Sequence, residues 1–346
     1  MKLLVVILNY RVTELTIDCL RSLAGRIVRV PGARVAVCEN GSGGDAAERL
    51  QAEIDRNGWG GWCSLTPVYP NLGFTGGNNV VIRAALASAD PPEYVLLLNS
   101  DTLVHDGALE ALVEFMDAHP RVGIAGSQLV NPDDSIQASP FRFHGIASQF
   151  DAAIRFALVH RLLARWWVVA PTPTRASACD WVSGASMILR RTMLGEIGLL
   201  DEGLYTYYDD IDLCQRALRA GWETWYVPQS RITHLEGAAT GIVHRVVKRR
   251  PAYWFQARRR FFLRNHGALY TALVDLATLL GLVIYRFRCL VLRKPDTDPP
   301  RFLADAFRHS VFVTGFRVRE VENPALKEAA ASSAAGAAPV PEEKAG

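Results

Sequence analysis

Four apolar runs in the first hundred residues do most to limit what this chain can fold into. They are LLVVIL (3–8), VAVC (35–38), LTPVY (65–69) and YVLLL (94–98). None of them alternates apolar with polar residues, and each stops at a polar or glycine-rich stretch. Helical patterns lie between them, such as TELTIDCLRSLAG, which closes on Gly25. Strands buried on both faces read this way, whereas half-exposed strands alternate. The expected fold class is therefore α/β, with a mostly parallel central sheet and helices on both faces. Ligands of such sheets sit beyond the carboxyl ends of the strands, so the polar residues after each run should converge on one rim.

Further strands are expected at 122–126, 180–190 and 222–228, and a helix in DLCQRALRAG that closes on Gly221. Residues 141–178 carry mixed patterns that specify no order of elements. The net charge of +3 over 346 residues gives no field that argues for nucleic acid, and no such partner is expected. Six cysteines are scattered without a CxxC pair, which argues against a zinc site or a disulfide framework and suits a reducing cytoplasm. The run at Leu3 is too short for a signal-peptide core or a membrane span.

Charge is uneven toward the carboxyl end. Between Arg245 and Arg264 stand eight Lys or Arg and no Asp or Glu, a strip suited to an anionic surface such as membrane phospholipid. The stretch 267–285 is nearly long enough to cross a bilayer, but Asp275 lies at its middle, where insertion scales charge roughly 3 kcal/mol. Thr271, Asp275 and Thr278 share one narrow helical face, and leucines cover much of the rest. This fits a helix lying in the membrane interface, or one packed on the main domain. The expected organisation is an α/β domain over 1–241, a basic and amphipathic helical extension over 242–322, and a disordered tail over 323–346.

Several residues could do chemistry. Asp101, at the end of the run closing on Asn99, is placed to hold a hard divalent cation, Mg²⁺ or Mn²⁺, with Asn99 adding a carbonyl oxygen; Asn-Ser-Asp is equally a turn former. In NLGFTGGNN, Gly73, Gly76 and Gly77 allow close backbone approach to a ligand, and a helix starting near Asn78-Asn79 would offer free N–H groups. The stretch is neither a Walker loop nor GxGxxG, and a glycine turn with an asparagine cap reads the same. Asp209, Asp210 and Asp212 crowd a helix start, which is more than capping needs, so one could be tuned as a general base. Tyr205, Tyr207 and Tyr208 beside them could wall a sugar ring. His234 is a metal ligand or a structural histidine depending on its company.

The ordered series VVILNYR, VCENGSGGD, NLGFTGGNN, LLLNSDT, WVSGASMILRR, YYDDIDLCQRALRAGW and THLEG resembles the inverting glycosyltransferases of family 2, with the GT-A fold, from about Lys2 to Gly241. The nearest look-alikes are bacterial rhamnosyltransferase-like members of cell-surface polysaccharide synthesis. The resemblance implies that Asn9, Tyr10, Glu39 and Asn40 lie against the nucleotide base and ribose, and that Gly73, Gly76, Gly77 and Asn78 line the nucleotide pocket. Asp101 matches the last carboxylate of the DxD-type metal motif, where Asn99 replaces a frequent Asp. His234 falls where some members place a metal-proximal histidine. Asp210 matches the catalytic base of the Glu-Asp pair, here Asp209-Asp210, with Asp212 joining the substrate-binding set. Trp181, Ser183 and Gly184 would border the acceptor.

The implied reaction takes a sugar from a nucleoside diphosphate sugar, dTDP-L-rhamnose favoured and UDP-sugars next. The acceptor is a hydroxyl of a glycan or a polyprenyl-linked saccharide, met peripherally at the inner face of the cell membrane. Two competing readings are a sugar nucleotidyltransferase and a non-catalytic, membrane-bound sugar-nucleotide sensor. The former usually carries a basic glycine-rich loop directly after its first strand, where this chain has NYRVTELT.

Overall fold

A computed structural model describes residues 1–235 and 248–325. The four apolar runs form β1 (Leu3–Asn9), β2 (Ala33–Asn40), β3 (Cys63–Val68) and β4 (Tyr94–Asn99), all parallel, in the order β3-β2-β1-β4. Their register aligns Asn9 with Glu39 and Leu8 with Asn99, so the polar strand ends stand level along one edge. Helices α1 (Thr13–Ala24), α2 (Ala46–Arg56) and α3 (Gly73–Leu86) make the crossovers. Because side chains alternate along a strand, Leu3, Val5 and Ile7 join the core under α1 and α2, while Leu4 and Val6 join the core under α3.

The chain continues through β5 (Thr102–Val104), α4 (Ala108–Ala118), β6 (Val122–Val130), β7 (Pro140–Phe141), α5 (Ile146–Ile154), α6 (Ala157–Leu162), β8 (Ser177–Cys179), β9 (Trp181–Val182), β10 (Ser186–Arg190), α7 (Arg191–Ile197), α8 (Asp209–Arg219) and β11 (Glu223–His234). The full order is β3-β2-β1-β4-β10-β6-β11-β5, with β8 on the far side of β11. β10 runs antiparallel to both β4 and β6, and β6 and β11 are parallel. The result is a mixed, mostly parallel sheet.

Two expected strands change shape. Residues 180–190 split into β9, which pairs with β7 in a separate two-stranded sheet, and β10 in the main sheet. The break is the Ser183-Gly184-Ala185 turn, where Ser183 N–H donates to Ser139 and Ser186 N–H to Ser183. The strand at 222–228 runs on to His234 through a register shift between Val227 and Arg231. Helix α8 stops where expected: Gly221 takes a positive φ of 86°, and the next N–H, of Trp222, reaches back to Ala217.

Beyond the sheet, α9 (Ala252–Val291) bends at Gly267 (φ 79°, ψ 179°) and is followed by α10 (Phe302–His309) and α11 (Val311–Thr314). The basic strip reads differently once folded, because much of it is internal. Arg249 forks onto Asp305, Arg260 and Arg264 share Asp201, and Arg259 is buried. Arg245 lies outside the described residues. Arg258 pairs with Asp275 at 2.6 Å and donates to Thr278, so the narrow polar face of α9 turns inward. The leucines on its other face stay exposed. The expected tail lies outside the described residues from 326 onward. Just before it the chain returns to the sheet domain: Val321 N–H donates to Gly203, and Asn323 Nδ2 donates to the Asn71 carbonyl at 2.8 Å.

Candidate active site

The level strand ends hold Asn9, Glu39 and Asn40 in fixed positions. Asn9 accepts from the Thr16 hydroxyl and donates to Ser42, while Glu39 accepts from the Ser42 N–H at 2.7 Å. Asn40 clamps the glycine loop: its Nδ2 donates to Asn71 and to the Gly73 carbonyl, and its Oδ1 accepts from Leu72 N–H. These three side chains thus shape the loop walls, and Tyr10 stays partly exposed beside them with the Arg11 guanidinium over its ring at 5.0 Å.

Helix α3 begins at Gly73, a turn before Asn78, because Asn71 Oδ1 accepts the Gly73 N–H there at 2.7 Å. Gly73 has φ +74°, and a Cβ there would strike the Tyr205 ring. Gly77 lets α3 lie close on the sheet, since a Cβ would come within 2.6 Å of Leu8; at Gly76 it would meet Leu72 at 2.8 Å. Asn78 returns its amide to the Phe74 carbonyl. Asn79 exchanges hydrogen bonds with the Leu200 backbone and donates to Glu202. The glycine loop therefore touches the tyrosine turn, with Thr75 N–H donating to the Tyr205 carbonyl.

Pairing of β5 with β11 sets His234 opposite Thr102, and this brings His234 Nε2 to 3.5 Å from Asp101 Oδ1. Gln137 orients the imidazole. Both hydrogens of its Nε2 are directed at acceptors, Asn131 Oδ1 and the His234 carbonyl, so its Oε1 faces His234 Nδ1 at 3.1 Å and accepts a hydrogen bond from that N–H. The Nε2 lone pair of a neutral ring is then aimed at a carboxylate oxygen. Two acceptors so placed call for a proton or a cation between them. A hard cation with one imidazole and one carboxylate would keep positions open for phosphate oxygens, so the donor set fits Mg²⁺ or Mn²⁺. Among the described residues no group of three or more His, Cys, Asp or Glu assembles a fuller site.

Asp210, in the first turn of α8, accepts from Gly184 N–H at 3.3 Å and from Ile211 N–H at 2.8 Å. The carbonyl after Gly184, that of Ala185, accepts from Asn99 N–H at 2.9 Å. Asp210 is thereby tied through Gly184-Ala185 to the same strand end that carries Asp101. It keeps some solvent contact but is enclosed on most sides, and burial pushes its carboxyl up to about 6 against the pull of its backbone donors. Asp209 is buried and pushed well above the usual carboxylate range, by burial first and by the Asp210 charge second. Asp212 is held apart from them: Arg216 and Asn265 take its two oxygens, each at 2.8 Å.

On the other flank, Trp181 stacks on Phe141 at 4.1 Å and donates to the Arg142 carbonyl, and Ser183 Oγ accepts from Ala185 N–H. Tyr205, Tyr207 and Tyr208 all take positive φ, 60°, 67° and 62°. A left-handed conformation costs a non-glycine residue about 1–2 kcal/mol, and such strain clusters at functional sites. Three residues of this wall escape a sequence reading. Tyr253 lies parallel to Tyr207 at 6.0 Å and Trp254 meets Tyr208 edge-on, both from α9. His144, between Trp181 and Tyr208, is pushed down to about 4 by burial and stays neutral. The Tyr253-Trp254 pair beside the basic strip was the available signal; His144 had none.

Comparison with known proteins agrees with this architecture. A family model described as "Glycosyltransferase like family 2" matches residues 2–261. The chain is similar to N-acetylglucosaminyl-diphospho-decaprenol L-rhamnosyltransferase of Mycobacterium tuberculosis, 28% identical over 232 residues, covering 59% of this chain and 73% of the relative. It is also similar to rhamnosyltransferase WbbL of Escherichia coli, 22% identical, covering 47% of this chain and 60% of the relative. Among solved structures it resembles GalNAc-T7, determined with UDP, GalNAc and Mn²⁺, with TM-score 0.58 and 15% identity, covering 83% of this chain and 54% of that one. This chain belongs to glycosyltransferase family 2 and is a transferase of the GT-A fold.

Proposed function

We propose that this enzyme transfers L-rhamnose from dTDP-L-rhamnose, with inversion, to a hydroxyl of a polyprenyl-diphosphate-linked saccharide at the inner face of the cell membrane. The observation that carries the reading is the link from Asp210 through Gly184-Ala185 to Asn99, which sets a raised carboxyl on the rim that also bears the Asp101–His234 pair. The name of the mycobacterial relative supports both the sugar and the lipid-linked acceptor.

In this reading the glycine loop and the ends of β1 and β2 hold the nucleotide. Asp101 and His234 would hold Mg²⁺ or Mn²⁺, which when bound would supply positive charge against that growing on the departing diphosphate. Asp210 removes the proton of the acceptor hydroxyl as that oxygen attacks the anomeric carbon from the face opposite the diphosphate. Trp181 and the tyrosine turn keep donor and acceptor in line, and in-line attack inverts the configuration. Neighbouring Asp209 is pushed well above the usual carboxylate range by burial and by the Asp210 charge, which leaves the role of base to Asp210.

The test is a thermal-shift screen of nucleoside diphosphate sugars with and without Mn²⁺, followed by a transfer assay. A stabilisation that needs both dTDP-L-rhamnose and the cation, with transfer abolished in Asp210→Asn, supports the reading. A UDP-sugar response in place of it reassigns the donor, and an active Asp210→Asn enzyme overturns the base.

A further inference from the structure

The second half of α9 is inverted relative to an ordinary surface helix. Its polar residues Thr271 and Asp275 are buried, at 0% and 3% exposure. Its apolar residues Leu269, Leu273, Leu276, Leu280, Val283 and Phe287 form one stripe, each between 44% and 76% exposed. Asp275 is anchored to Arg258 and to the Val311 N–H, which fixes this orientation from both sides. A helix so mounted presents to its surroundings what a soluble protein hides.

The apolar face is broader than one helix. α10 contributes exposed Phe307, and between α9 and α10 opens a cavity of about 640 Å³ lined by Leu279, Val283, Leu303 and Phe307, with Arg286 and Arg301 also lining it. On the other side Arg288 lies over the ring of Phe156, at 4.6 Å, and this joins α6 with its exposed Leu158 and Leu162 to the same end of α9.

We propose that this face docks on an anionic phospholipid bilayer, with the leucine stripe immersed and the cations around it at the headgroups. Charge points to that occupant. From residue 252 to 295 the sole acidic residue is Asp275, which is buried, while Arg293 and Lys294 stand exposed at the end of the helix. A second copy of the chain is a poorer fit. The stripe has coiled-coil spacing, but Glu and Lys are missing from its flanks, where they would set register, and the face is too wide for one partner helix. The residues from 326 to 346 bring only two large apolar side chains, Leu326 and Val340, too few to cover a stripe of six. Apolar insertion combined with basic contacts is how interfacial helices hold a membrane. The inference deepens the membrane-bound acceptor reading above and rests on it for its biological sense, not for its geometry.

The experiment is sedimentation of the full chain with vesicles of phosphatidylcholine, with and without phosphatidylglycerol. Leu273→Glu/Leu280→Glu alters two exposed side chains outside the catalytic rim, so the melting temperature and donor-induced thermal shift should hold. Partition into anionic vesicles should fall roughly tenfold or more in this variant. Arg293→Glu/Lys294→Glu should remove the preference for phosphatidylglycerol. Unchanged partition of the leucine variant overturns the proposal. So does a wild-type dimer in lipid-free buffer that the same substitutions dissociate, which would assign the face to a second copy. Vesicle binding requires no turnover, so a chain that binds vesicles yet transfers no sugar defeats the catalytic reading and leaves this one standing.

Discussion

The backbone N–H of Gly184 donates to a carboxylate oxygen of Asp210 across 3.3 Å, joining the β9–β10 turn to the first turn of α8. A Cβ at Gly184 would rest 3.6 Å from the Asp210 Cβ, so the contact is close-packed as well as polar. Asp210→Asn keeps an oxygen for this bond and removes the proposed base. Transfer should fall about 10²–10⁴-fold while donor binding changes little, as read by steady-state rates and calorimetric titration.

The raised carboxyl sets a pH dependence. As the proposed base, Asp210 must be ionised, so kcat/KM should climb with pH through an acid limb near 6 and level off above it. Stability runs the other way. A carboxyl whose folded value lies above its unfolded one stabilises fully below the unfolded value, and this contribution is lost as pH rises through about 6. At pH 8 the Asp210→Asn enzyme should therefore be the more stable, by roughly 1–2 kcal/mol once the partial solvent contact of Asp210 is allowed for. Thermal melts of both proteins at acidic and alkaline pH check the sign.

Gly73→Ala should damage the donor side first. Its φ of +74° disfavours any side chain, and the added methyl would enter the Tyr205 ring. A loss of about 1–3 kcal/mol of stability is expected, with a raised KM for the donor, since the loop must retreat from the tyrosine turn.

Gln137 Oε1, 3.1 Å from His234 Nδ1, fixes which nitrogen of His234 faces the carboxylate. Gln137→Leu frees the ring to flip its tautomer. The Mn²⁺ concentration needed for the donor-dependent thermal shift should rise about 10–100-fold, and His234→Ala should do at least as much. An unaltered Mn²⁺ titration in both variants would remove His234 from the cation site.

Asp275→Ala strands the buried Arg258 guanidinium. Breaking a buried ion pair from one side costs about 3–5 kcal/mol, whereas replacing both partners with apolar residues of like volume should recover most of it. Denaturant titration of the single and double variants separates the two cases.

The sheet was legible because its inner strands β1, β2 and β4 are largely buried on both faces, and unbroken runs such as 94–98 leave little else to read, whereas β3 at the edge is mostly half-buried or exposed. The rim followed from topology: polar residues after parallel strands must meet at one edge. Two things were out of reach of the local pattern. The Asp101–His234 approach, expected from the family resemblance alone, depends on antiparallel pairing of the three-residue β5 with the far end of β11, and so short a strand carries no periodic signal. The inward turn of Asp275 depends on Arg258, seventeen positions earlier and across the Gly267 bend. From the local pattern alone that helix could present either face, and the basic strip looked like a surface because its carboxylate partners, Asp201 and Asp305, lie far from it in sequence.

Asn323 fastens the carbonyl of Asn71 from 252 positions away. The glycine loop thus inherits part of its shape from a residue beyond the helical extension. A shortened chain stopped at residue 322 would retain every rim residue and still lose one of their fasteners. During synthesis this fastener can form only once residue 323 has left the ribosome, 252 positions after the loop it holds.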